Sequence, residues 1–103
     1  MMNLVPTHFY IKNISSTRIF IKKYLGPILN NSHDKNNTLY HTLRAYLNNN
    51  GSMKETSAEL YIHRSTLQYR MGKIQSLLDI ELTSPQERFN LQLAFKLSDI
   101  INL

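Results

Sequence analysis

Apolar residues along this chain recur three and four positions apart rather than alternating, and that spacing predicts helices. Phe20, Ile21, Tyr24, Leu25 and Ile28 trace a first helical stripe, with Ser15 or Ser16 as its N-cap. Gly26-Pro27 is expected to interrupt that helix, because proline removes a donor and disfavours helix in the residue before it. The stretch NNSHDKNN (residues 30–37) reads as a loop of turn and cap residues. A second helix, from about Thr38 to Asn48, carries the stripe Leu39, Leu43, Tyr46 and Leu47, and Asn50-Gly51 closes it. Ser52 and Glu55 then have the spacing of a capping box, opening a short helix that ends near Leu60. After Tyr61-Ile62 the chain re-enters helix with His63 as N-cap, and Leu67, Met71, Ile74 and Leu78 share a face out to the Asp79 region. A second box, Ser84 to Glu87 with Pro85 at the favoured first position, opens a last helix to about Ile101. Residues 1–14 are poorly patterned and fit a tail or a leftover strand. The expectation is an all-α chain of five or six helices: a tail or linker over 1–15, then a helical domain over 16–103.

At 103 residues the chain is one domain with a modest core, and its 42% apolar content argues against wholesale disorder. It has no cysteine, so disulfides and thiolate zinc sites are excluded and a reducing cytoplasm is the expected setting. The opening residues lack the charged and apolar regions of a signal peptide, and no stretch approaches the roughly 20 apolar residues of a membrane span. The Asn-X-Ser/Thr matches at Asn13, Asn30 and Asn36 read as chance in an Asn-rich chain. Net charge is +5, which favours a polyanionic partner or is simply a soluble basic surface; the placement of the charge decides.

The placement follows from residues 53–78. A short helix, a tight turn and a longer helix form a helix-turn-helix plan. Ser57 or Ala58 supplies the small residue where the helices cross, and Leu60, Ile62 and Leu67 seal the corner. Taking Leu67 as the inward direction, Met71, Ile74 and Leu78 lie within about 40° of it. Ser65, Tyr69, Gly72 and Ser76 then point away, flanked by Gln68 and Lys73, with Arg64 at the N-terminal edge. A polar, cationic face along one exposed helix suits entry into the major groove of double-stranded DNA.

The motifs TLRAYL (residues 42–47), NGSMKET (50–56), LYIHRSTLQYR (60–70) and SPQERFNLQLA (84–94) together resemble the C-terminal helix-turn-helix domain of the PucR/CdaR family of bacterial transcriptional regulators. LGPIL (25–29) also resembles the family's lead-in, so the likeness runs over roughly residues 16–101. The resemblance implies a Fis-like helix-turn-helix, a recognition helix over about 64–78, control of nearby catabolic genes and a sensory region upstream in a longer chain. Tyr61 stands where the broader helix-turn-helix pattern carries glycine. A left-handed tyrosine there would cost on the order of 1 kcal/mol, with packing of its ring as the expected offset.

Each candidate contact has a plainer alternative. Arg64 could fork to guanine or clamp a phosphate, or be a solvated first-turn arginine. Gln68 could read adenine from its flanking position. Tyr69 suits a phosphate or base contact, or packing on a neighbouring helix. Ser65 and Thr66 are phosphate donors near a helix N-terminus, and Lys54 and Lys73 are backbone neutralisers or solvated lysines. His63 is an N-cap first and a phosphate contact second. Arg70, on the boundary of the buried face, is expected to pair with a carboxylate such as Glu55, Glu59 or Glu87. His33 and His41 lack a third ligand at metal spacing, and the acids are dispersed, so neither a zinc site, a cofactor nor catalysis is expected. On the last helix Phe89, Leu93, Leu97 and Ile100 lie roughly opposite Leu91 and Phe95. That is more apolar surface than one core face needs, and it fits burial between two helices or a homodimer or domain-docking surface. The rival reading of the whole is an interaction or oligomerisation module that keeps the fold without reading DNA.

Overall fold

The computed structural model describes residues 7–31 and 33–101, with backbone alone over 7–13. Its elements are α1 (Thr7–Leu29), a 3-10 turn (Lys35–Asn37), α2 (Thr38–Asn48), α3 (Met53–Leu60), α4 (Arg64–Leu78) and α5 (Pro85–Ile101). The fold is all-α among the described residues, as the spacing predicts.

The first helix departs from expectation at both ends. It begins at Thr7, so Ser15 and Ser16 lie inside it rather than capping it, and residues 7–14 are helical rather than strand. Residues 1–6 lie outside the described residues. Serine marks a helix start only where the backbone must turn, and residues 7–25 contain no glycine or proline to force one. Gly26-Pro27 does not stop α1 either; Pro27 lies within its last turn. Part of the clash of a proline ring is with the Cβ of the preceding residue, and Gly26 has none. The Asn30 N–H still reaches the Gly26 carbonyl at 2.9 Å, completing the turn beyond the proline.

The core is assembled from four helices and one loop. Leu25 and Ile28 of α1 meet Leu39, Leu43, Tyr46 and Leu47 of α2, Leu67, Met71 and Ile74 of α4, and Leu91, Ala94 and Phe95 of α5. Leu82, in the loop between α4 and α5, is buried among them. Three polar groups hold that loop in place. Gln75 Oε1 accepts from the Leu82 N–H at 2.8 Å, while the Leu82 carbonyl accepts from Arg88 Nη1 at 2.9 Å and the Tyr46 hydroxyl at 3.4 Å. Across the other side Arg44 of α2 makes a two-pronged pair with Asp99 of α5, and its guanidinium stacks 4.8 Å from the Phe95 ring centroid.

Helices α2, α3 and α4 all end in the same way. The N–H of Gly51 bonds back to Tyr46 O, that of Ile62 to Ser57 O, and that of Ile80 to Gln75 O. This is the Schellman closure, and it needs a residue of positive φ just before the bonding N–H. Asn50 (φ 53), Tyr61 (φ 56) and Asp79 (φ 55) occupy that position. Asparagine and aspartate tolerate the left-handed region, but a tyrosine there costs on the order of 1 kcal/mol.

Candidate nucleic-acid interface

Helix α3 starts where the capping box places it. Ser52 Oγ accepts from the Glu55 N–H at 3.1 Å. The reciprocal half of the box does not form, since the Ser52 N–H bonds to the Asn49 carbonyl at 3.0 Å. Thr56 is fully buried in α3, its hydroxyl donating to the Ser52 carbonyl. The chain leaves α3 through the three residues 61–63 and enters α4 at Arg64. His63 occupies the N-cap in extended conformation (φ −69°, ψ 152°), but its side chain makes no capping hydrogen bond.

Helix α4 hides Leu67, Met71 and Ile74 against the core. That burial fixes the helix's rotation, and with it which side chains face water. Arg64, Ser65, Gln68, Tyr69, Gly72, Lys73 and Ser76 are exposed, and Thr66 is half-buried at the edge. The side chains of Arg64, Ser65 and Gln68 have no polar partner among the described residues. Lys73 leans over the Tyr69 ring, its Nζ 5.4 Å from the centroid, so a cation and an aromatic face share the outer surface. No acidic residue lies within α4, while Arg64, Arg70 and Lys73 do. Lys54 is exposed on the first turn of α3, on a different element from the rest of the candidate set.

Arg70 differs from expectation. The spacing predicts a carboxylate partner, but its Nη1 donates to the Thr42 hydroxyl of α2 at 3.3 Å. The two sites meet because Thr42 is buried and turned toward α4, its own hydroxyl proton already given to the Thr38 carbonyl at 2.8 Å. Of the proposed carboxylate partners, Glu59 is instead bound by Asn49 Nδ2 at 3.0 Å. Arg70 therefore braces α4 on α2 and is withdrawn from the outer face. Tyr61 also departs from expectation. Its ring is 94% exposed, so no packing offsets its left-handed backbone. The signal in the sequence was a tyrosine at a position whose geometry asks for glycine or asparagine.

On α5 the buried side is Leu91, Ala94 and Phe95, while Phe89, Leu93 and Ile100 are exposed. Among the described residues no three histidine, aspartate or glutamate side chains gather into a metal-binding group. No described helix is long and apolar enough to cross a membrane.

A short helix, a three-residue turn and a longer helix with one face committed to the core make this a helix-turn-helix domain of the kind found in transcriptional regulators. The chain belongs to the family described as the PucR C-terminal helix-turn-helix domain, whose model matches residues 39–97. It is 33% identical over 85 residues to the purine catabolism regulatory protein of Bacillus subtilis (strain 168), covering 80% of this chain and 16% of that protein. It is 36% identical over 66 residues to the carbohydrate diacid regulator of Escherichia coli (strain K12), covering 64% of this chain and 17% of the regulator. It is 30% identical over 87 residues to the proline-responsive transcriptional activator PutR of Bacillus subtilis (strain 168), covering 82% of this chain and 21% of that protein. The chain thus spans about a fifth or less of each of these three regulators. No solved structure matches it.

Proposed function

We propose that this domain binds double-stranded DNA sequence-specifically, with α4 in the major groove. The observation that carries the reading is the outer face of α4, where Arg64, Ser65, Gln68, Tyr69 and Lys73 stand exposed on a helix without acids. His63 and Thr66 flank that face, and together with Lys54 of α3 they contribute backbone contacts. Gln68 supplies base discrimination, Arg64 clamps a phosphate at the N-terminal edge of the helix, Tyr69 reaches a base or phosphate, and Lys73 neutralises the backbone. The unit that reads is 53–78, and the rest of the domain holds its rotation. One recognition helix covers few base pairs, so the domain reads paired half-sites as a homodimer about one helical turn apart. It works in the cytoplasm as the output end of a longer regulator, whose other part senses the effector.

The test is selection of bound duplexes from a random library by the purified domain. An enriched palindromic motif supports a dimeric reader, and a single enriched half-site supports a monomeric one. Weak, salt-sensitive binding without enrichment refutes sequence reading. The exposed Phe89, Leu93 and Ile100 would then favour a protein-interaction module that has kept the fold.

A further inference from the structure

We propose that Tyr61 is a DNA-backbone contact in its own right, held by the turn against the phosphates beside the start of α4. This rests on the DNA-binding reading above. The three Schellman closures in the domain pose the same backbone demand, and two of them meet it with residue types that tolerate positive φ, Asn50 and Asp79. Tyr61 meets it with a side chain that does not. It is also 94% exposed, more than any other large apolar or aromatic side chain described, Tyr69 at 66% included. Neither its ring nor its hydroxyl has a partner among the described residues. Strain and exposure at one residue, with no packing inside the domain to offset either, point to a role outside it.

Position says what that role is. The chain from Tyr61 to Arg64 is three peptide units, so their Cα atoms are at most about 11 Å apart. Whatever duplex meets Arg64 therefore passes within reach of a tyrosine ring. His63 and Arg64 are exposed beside it, and residues 60–73 contain no acid to repel a phosphate. A phenol suits that neighbour: its O–H donates to a phosphate oxygen, and its ring lies against the deoxyribose. Such a contact sets the docking angle of α4 while carrying no sequence information.

The experiment uses the whole 103-residue chain with the duplex recovered by selection and a scrambled duplex of equal length. Tyr61→Asn and Tyr61→Gly suit the left-handed backbone, so both are expected to melt at or above the wild-type temperature. Both are expected to bind about tenfold more weakly, the scale of one charge-assisted hydrogen bond. The loss should be equal on the selected and scrambled duplexes, and the salt dependence should stay unchanged because no cation is removed. Tyr61→Phe should show most of the loss if the hydroxyl makes the contact. Unchanged affinity in Tyr61→Asn, while Arg64→Ala weakens binding, overturns this inference and leaves the DNA reading standing. A loss confined to the selected duplex also overturns it, since that would make Tyr61 a base reader. If the wild-type chain enriches no duplex and binds DNA no better than an acidic protein, the underlying reading falls, and Tyr61 with it.

Discussion

The helix-turn-helix carries three exposed cations, Lys54 on α3 and Arg64 and Lys73 on α4, and one arginine that does not face outward. Arg70 is half-buried with its guanidinium on Thr42. That difference can be measured through counterion release. Each phosphate neutralised contributes about 0.9 to the slope of log affinity against log salt, so three contacts give a slope of about −2.7 per domain. Between about 50 and 200 mM salt the affinity of the wild-type domain should then fall about 40-fold. Removing one cation, by Arg64→Ala or Lys73→Ala, should reduce the slope to about −1.8 and the fall to about 12-fold.

Fluorescence anisotropy with a labelled duplex, titrated at four or five salt concentrations, resolves a change of that size. Two controls give it meaning. Arg70→Ala should leave the slope where it was while lowering stability by about 1 kcal/mol, the worth of one ordinary hydrogen bond. Lys96→Ala, on α5 and exposed, should also leave it unchanged. If Lys96→Ala or Arg70→Ala flattens the slope as much as Arg64→Ala does, the charge acts diffusely and α4 has no privileged face toward DNA.

Leu82→Ala should cost about 2–5 kcal/mol, because a fully buried leucine is removed from a loop whose backbone is pinned by Gln75 and Arg88 and so collapses poorly. Urea unfolding checks this, and a loss under about 1 kcal/mol would mean the loop is no part of the core. Gly72→Ala should stabilise the domain by about 0.5–1 kcal/mol, since the added Cβ meets nothing within 4 Å. The melting temperature should rise by roughly 2–8 °C, and a fall would show a hidden contact. The Arg44 guanidinium, chiefly through its hydrogen bond, holds the Asp99 carboxyl below the usual carboxylate range. A lowered folded-state value means the pair stabilises above the ordinary aspartate pKa and stops doing so as pH falls through the folded one. The gap in melting temperature between wild type and Asp99→Asn should therefore be widest near neutral pH and close below about pH 4.

What could be read along the chain and what could not divide along a physical line. The bounds of α3 and α4 follow from local demands: Ser52 must satisfy an N–H, and Leu67, Met71 and Ile74 must share a face. Each demand is met within a few residues, so the spacing of residue types reveals it. The rotation of α4, and hence the exposed candidate face, comes from the same source. Arg70 is different, because a guanidinium on a long stem has many acceptors in range. Which one it takes depended on α2 turning Thr42 toward it, 28 positions away in sequence. The Gly26-Pro27 pair differs from expectation for a related reason: part of the penalty of proline falls on the Cβ of its neighbour, and here that atom is missing. Tyr61 combines both cases. Its backbone conformation was legible, because a Schellman closure before α4 demands positive φ, but the fate of its ring was not. Packing was the expectation only because a strained residue should be offset by something. The structure removes that offset from inside the domain, so the choice of tyrosine for this positive-φ position has no explanation in the fold, and the surface around Arg64 is the remaining place to look for one.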